Sequence, residues 1–450
     1  MVCFTHISSL PPCTEFREKS TKSWQYLENE KLKTNRIIAY QKRMKLIFLS
    51  REALFPTIGG HREFLFSTLK QLAEANNEVA LISWGREESY TYTNNLLKEY
   101  HIRTHNSLQV VKEKKFSLKT ETILSQLGAA QFKTIFHKGL NKLPPLDYSS
   151  YDLVIKSGPD SNNLSHILAK SYDMPILERV DWVGIPYTNE CYEKWLKYSG
   201  FSLFSLKRLS RSVDLLVTKL EANTMKQDRY IYTFSKRDKA KLTRFLPKAQ
   251  INFIYPFLSQ NDYLNTTLDS EKITLKLPEN FVLFYASPSF DSEMAQIYIN
   301  KIAKKMPNIN FVITGLNNTQ IKRNNNVLNL GKIKLNAFLE ILSLTNFVIL
   351  PLARSHGIQM KLIRAFSLGK TVLTTSALIH PLNEIVVDMH NVVIRDDPNE
   401  FASTIPYLYD NSGITNNIGK NSYKTYEENF SPRSHLKNIS TYFESIIRNS

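Results

Sequence analysis

The feature that most constrains this chain is an alternation that occurs twice. Short apolar runs are separated by segments whose apolar residues recur at helical spacing. The first run is residues 45–50, followed by a turn at Pro56-Thr57-Ile58-Gly59-Gly60. Residues 63–75 then carry Phe64, Leu65, Thr68, Leu69 and Leu72 on one helical face, and residues 79–83 form the next apolar run. Strand, glycine turn, helix and strand make a βαβ unit, which requires a parallel sheet. Further strands are expected at 153–155, 175–178, 230–235 and 251–255, with a helix near 163–172. Residues 256–271 are polar and rich in Asn, Ser, Thr and Asp, as a linker is. The pattern then restarts, with strands expected at 281–285, 310–315, 327–331, 347–351 and 371–375. Helices are expected at 294–305, 335–344, 359–368 and 432–447.

The fold class that follows is α/β, with two doubly wound, Rossmann-like domains facing a cleft. Residues 44–255 form the first domain, 256–272 the linker, 273–430 the second domain and 431–450 a terminal helix. Residues 1–43 are charged and weakly periodic. Met44 is expected to open the folded part and to be the natural start, with residues 1–43 a disordered or marginally helical extension. That tail has no apolar core of the signal-peptide kind. No run reaches the ~18 apolar residues of a spanning helix. Cys3, Cys13 and Cys191 are scattered without metal-ligand spacing, which fits a reducing, cytoplasmic compartment.

Charge narrows the class of partner. The chain has 58 basic and 41 acidic residues, a formal net of +17. Of that excess, +14 lies in residues 1–255 and only +3 beyond. Such an excess points to an anionic partner such as nucleic acid, a membrane surface or a phosphorylated ligand, though Lys- and Asn-rich usage also arises from genome composition. No zinc, helix-turn-helix or RNA-recognition signature accompanies it, so no nucleic-acid partner is expected.

From Met44 onward the sequence resembles the group 1 glycosyltransferases (glycosyltransferase family 4), which have the GT-B fold. Gly59-Gly60 after the first strand and the stretch 232–238 match the family's N-terminal domain. Residues 311–315 and 327–332 recur at family spacing. The most specific segment is 356–372, which resembles the donor-binding helix and the strand after it. The resemblance implies hexosyl-type transfer of a sugar from a nucleotide-sugar donor, with retention, to a lipid-linked or glycan acceptor. The donor would sit on the second domain and the acceptor on the first. No cofactor and no metal are implied, because the nucleotide-sugar is a co-substrate.

Glycosyl transfer must stabilise a departing nucleoside diphosphate with fixed positive charge. A helix N-terminus beside a glycine supplies part of that charge through its N–H groups. Gly357, Gln359 and Met360 stand where such a helix would start. Lys361 in its first turn reaches a phosphate as a point charge, with a solvated lysine as the plain alternative. Arg354 and Ser287 are further donor-side candidates, and Gly59 and Gly60 allow close backbone approach at the first strand. The family's two glutamates across this helix correspond here to His356 and Arg364. Arginine has donors only and cannot accept hydrogen bonds from a ribose. The corresponding acceptor-side histidine is absent. Asp181 stands near its place, as a base or orienter, or as a turn cap. His356 and Asp181 are therefore the candidate catalytic pair. Residues 193–211 mix Trp195, Leu196, Phe201, Phe204 and Leu206 with five basic residues. This stretch suits either peripheral contact with an anionic membrane or a core-packing helix with a solvated face. The competing function is a non-catalytic relative that binds a glycan or partner.

Overall fold

The structure is a computed structural model that describes residues 43–50, 60–84, 97–98, 101–107, 146–157, 162–181, 183, 187–188, 192–199, 207–259, 277–286, 289–316, 324–333, 335–355 and 357–450. Residues 44–450 form one compact unit. The expected extension, residues 1–43, lies outside the described residues but for Arg43.

The first sheet has seven parallel strands: β1 Lys45–Ser50, β2 Glu78–Trp84, β3 Arg103–Ser107, β4 Leu153–Ser157, β5 Ile176–Val180, β7 Tyr230–Thr233 and β8 Gln250–Phe253. Their order is β3-β2-β1-β4-β5-β7-β8, a doubly wound sheet whose switch point lies between β1 and β4. The helices are α1 Gly60–Glu74, α2 Asn162–Tyr172, α3 Tyr192–Ser199, α4 Lys207–Thr224 and α5 Lys236–Phe245. Ser235 caps α5, its side chain accepting from the Asp238 N–H at 3.1 Å.

The second sheet has six parallel strands in the order β11-β10-β9-β12-β14-β15. They are β9 Val282–Tyr285, β10 Phe311–Thr314, β11 Val327–Asn329, β12 Phe347–Leu350, β14 Val372–Thr374 and β15 Val393–Ile394. Around them lie α6 Phe290–Ala303, α7 Leu335–Leu344, α8 Met360–Ser367, α9 Ser376–Ile379, α10 Pro398–Asp410, α11 Ser412–Asn429 and α12 Pro432–Arg448. β9, β10, β12 and β14 are apolar or hydroxyl-bearing and wholly buried, as expected of strands covered on both faces.

A small third sheet joins the halves. β6 (Tyr187–Thr188) pairs antiparallel with β13 (Arg354–Ser355). The chain also crosses between the halves at residues 254–258, where Phe257 and Leu258 are fully buried. The Tyr426 hydroxyl donates to the Leu258 carbonyl at 2.6 Å. The terminal helix α12 returns to the first half: Tyr442 donates to the Ile231 carbonyl at 3.3 Å, and Tyr230 donates to the Asn449 carbonyl at 3.4 Å. Pro432 opens α12 at its first turn, where the missing N–H costs nothing.

The stretch 193–211 resolves into α3 and the start of α4, separated by residues outside the description. Trp195 and Leu196 are buried, and Trp195 belongs to the hydrophobic core of the second half. Those two side chains therefore pack inside the protein and face no membrane. Among the described residues, no helix is long and apolar enough to cross a membrane.

Candidate functional site

The donor-side candidates gather where β9 and β12 end. β9 finishes at Tyr285, and α6 begins after Ser289, whose side chain accepts from the Ser292 N–H at 3.2 Å. Asp291 lies in the first turn of α6. β12 leads through Leu352 and Ala353 to β13, and α8 follows. Gly357 sits at φ +90°, a backbone region that strains other residues. Ser355 Oγ donates to the Gly357 carbonyl at 2.7 Å, and Gln359 Nε2 reaches Ser355 Oγ at 3.4 Å. Gln359 occupies the N-cap of α8 without a side-chain cap bond. Among the described residues, the first backbone hydrogen bond into α8 runs from the Leu362 N–H to the Gln359 carbonyl at 2.9 Å, and a helix start of this kind suits an anion.

Arg354 is buried, and its Nε bonds Asp291 Oδ1 at 2.5 Å. Its guanidinium lies 5.5 Å from the Tyr192 ring centroid. Lys361 follows one position after Met360, in the first turn of α8, and the Tyr285 hydroxyl donates to the Lys361 carbonyl. Surrounding protein pushes the Lys361 ammonium down to about 8, with Asp291 opposing that shift. Some of the Lys361 side chain still reaches the surface. Partial burial thus disfavours the Lys361 charge, and a bound phosphate would favour it. Arg364 is buried on α8, and its Nη1 donates to the Ser259 carbonyl at 3.3 Å, beside the crossover between the halves.

The first half contributes a polar group at the carboxyl end of β5. Arg179 Nε faces Asp181 Oδ1 at 3.2 Å, and Arg179 Nη2 donates to Ser157 Oγ at 3.3 Å. The same guanidinium lies 5.6 Å from the Phe64 ring centroid. Asp181 is therefore an oriented carboxylate at a strand end, which is where ligands bind in such sheets. On the other face of the sheet, Lys156 Nζ meets Glu178 at 2.7 Å and Asp228 at 2.8 Å. Burial opposes the Lys156 charge, but the two carboxylates outweigh it and hold the ammonium above its ordinary value. Burial raises Asp228 despite Lys156.

Arg354, Gly357, Gln359, Met360, Lys361 and Arg364 thus lie on or beside α8, and Asp181 lies at the end of β5. Gly60 opens α1, and α8 packs against α1. Gly59, Ser287 and His356 lie outside the described residues. Sequence reading missed Asp291, Tyr192 and the Arg179–Ser157 contact. Asp291 carried a signal, since it is an acidic residue in the first turn after a strand end. Tyr192 carried none, because its partner lies 162 positions away. Among the described residues, no group of three or more His, Cys, Asp or Glu side chains could hold a metal ion.

Residues 292–411 match the family model described as "Glycosyl transferases group 1". In this region, about a quarter of the chain, the sequence is similar to the group 1 glycosyltransferases. Its fold is GT-B, shared with solved structures that cover most of the chain. HepE from Anabaena, in complex with UDP and glucose, is 15% identical, has a TM-score of 0.56, and covers 90% of this chain and 100% of its own. Sucrose-phosphate synthase from Thermosynechococcus elongatus is 13% identical, with a TM-score of 0.59 and coverage of 90% and 100%. A glycosyltransferase from Rickettsia africae is 14% identical, with a TM-score of 0.57 and coverage of 91% and 100%. No match was found among curated protein sequences. The group 1 segment contains β13, α8 and most of α6, so it holds every described donor-side candidate but Gly60.

Proposed function

We propose that this chain is a group 1 glycosyltransferase that moves a sugar from a nucleotide-sugar donor to a lipid-linked or glycan acceptor, with retention at the anomeric carbon. The observation that carries the reading is the turn at Gly357 leading into α8, with Lys361 in the first helical turn, within the family-matching segment. The α8 N–H groups and Lys361 would take the charge of the departing diphosphate. HepE has been solved with UDP-glucose, so a uridine diphosphate donor is the first to try. Asp181, oriented by Arg179, would face the acceptor hydroxyl, and His356 would lie near the sugar. The +14 excess through residue 255 favours an anionic acceptor or membrane face on the first half, at the cytoplasmic side.

A second reading is favoured by Arg364. It stands where the family's ribose-binding glutamate stands, donates to the Ser259 carbonyl, and has no acceptor to offer. On that reading the chain binds a nucleotide or glycan without transferring sugar.

A panel of nucleotide-sugars tested by thermal shift and by release of free nucleoside diphosphate separates the two. Transfer predicts a stabilising donor and its turnover, both lost in Lys361→Ala. Binding without turnover supports the second reading. If no donor in a broad panel binds the wild-type protein, the transferase reading falls.

A further inference from the structure

One helix sits on the wrong side of the molecule for its place in the chain. α3 lies between strands of the first sheet in sequence, yet it packs in the core of the second half. The Trp195 ring lies 4.8 Å from Tyr298 and 5.4 Å from Phe401, centroid to centroid. Trp195 Nε1 donates to the Asp396 carbonyl at 2.5 Å. Lys301 Nζ donates to the Tyr198 carbonyl at 2.6 Å, and Lys194 pairs with Asp397 at 3.3 Å. Just before α3, β6 pairs with β13, placing Thr188 opposite Arg354 and Tyr187 opposite Ser355. β6 and α3 therefore both grip the donor half.

At the centre of this grip, the Tyr192 ring faces the Arg354 guanidinium, and Arg354 bonds Asp291. The Tyr192 hydroxyl is buried with no hydrogen-bond partner, so the ring and not the hydroxyl makes the contact. Asp291 is also the carboxylate that favours the charged form of Lys361. A carboxylate left without its arginine would act more strongly on Lys361, whose charge it already favours.

We propose that Tyr192, supplied by the first half, is a positioning residue for donor binding: its ring holds Arg354 on Asp291, which keeps Lys361 available to the donor diphosphate. This rests on the proposed function, since it assigns Lys361 to that diphosphate. It means that the donor subsite is completed by a segment of the acceptor-side half. The charge that acts on Lys361 is Asp291 from α6, the Tyr285 hydroxyl from β9 holds the Lys361 carbonyl, and Tyr192 acts through Arg354 on Asp291.

The test uses the full chain and UDP as probe, by calorimetry from pH 6.5 to pH 9.5. Wild type should bind UDP with an affinity that falls as pH rises through the Lys361 value of about 8. Tyr192→Phe should stay within about twofold, because the ring is kept. Tyr192→Leu should weaken binding about 3–30-fold and move the pH midpoint upward, as Asp291 acts more strongly on Lys361. Tyr198→Leu, on the same helix with its ring against Tyr298, should leave UDP affinity unchanged. Asp291→Asn guards against misfolding of the leucine variant. It should lower the midpoint and abolish any further effect of Tyr192→Leu on it. The inference is overturned if Tyr192→Leu binds UDP like wild type, if its midpoint stays fixed, if Tyr192→Phe weakens binding as much as Tyr192→Leu, or if Tyr198→Leu does the same damage. If wild type binds no nucleoside diphosphate at all, the proposed function falls first and takes this inference with it.

Discussion

The two halves share a strand order but place their charges differently. In the second half, β9, β10, β12 and β14 carry no charged residue, and Asp291, Arg354 and Lys361 lie beyond the strand ends. In the first half, Lys156 and the Glu178–Arg179 pair lie within β4 and β5 and are fully buried. A buried charge is tolerated only when paired and hydrogen-bonded. The first half therefore carries a fixed polar network beside its apolar clusters. The second keeps its central strands β9, β10, β12 and β14 free of charge and places Asp291, Arg354 and Lys361 beyond their ends.

That contrast orders the expected effects of substitution. The largest belongs to the first half. Lys156→Met leaves Glu178 and Asp228 buried without their cation and should destabilise the fold by about 3–5 kcal/mol. Chemical denaturation reads this directly. A loss under about 1 kcal/mol would mean that the network is loose and the contrast false. In the second half the most sensitive point is backbone instead. Gly315 has φ +92°, and a Cβ there would stand 2.0 Å from the Ala286 carbonyl oxygen. Gly315→Ala should cost about 2–4 kcal/mol by strain and displacement of the loop after β9.

Lys361 should behave in the opposite sense to Lys156. Its folded value lies below the ordinary 10.5, so the folded state binds its proton less tightly than the unfolded chain does. Below pH 8 that mismatch destabilises the unliganded protein, and the penalty fades as pH rises from about 8 to 10.5. Lys361→Met should therefore raise unliganded stability at pH 7 by about 1–3 kcal/mol, and the gain should shrink toward pH 10.5. A loss of stability would show that Lys361 holds the fold and is not kept for a ligand. The smallest effect is expected at the contact between the halves made by Lys236 and Glu384. Both are more than half exposed, and Lys236→Ala should change stability by under about 1 kcal/mol.

Much of this was legible from the residues. The run 45–50 and the helix 335–344 form with the expected bounds, and the other apolar runs became strands to within a few residues. Periodicity works there because burial on both faces demands apolar residues in sequence. β3 escaped because Arg-Thr-His-Asn-Ser is polar and lies at the sheet edge, where burial imposes no pattern. The strand expected at 153–155 runs on to Ser157, since Lys156 looks like a strand end until Glu178 and Asp228 are seen around it. β6, β13 and the docking of α3 are products of tertiary encounter. Trp195 reads as part of an amphipathic stretch, and its partners Asp396 and Phe401 lie some 200 positions away. At the candidate site, Lys361 and Gly357 were visible from the turn before α8. That Arg354 would be engaged by Asp291 was not, since an arginine in sequence carries no sign of its partner.

The central claim is that the rim of the second half binds a nucleotide-sugar through Lys361. Calorimetric titration of UDP-glucose into wild type and Lys361→Ala at pH 7 tests it most directly. The account predicts saturable binding by wild type and at least about a tenfold loss in the variant, the effect of removing one charged phosphate contact. Equal binding by the two proteins would contradict it.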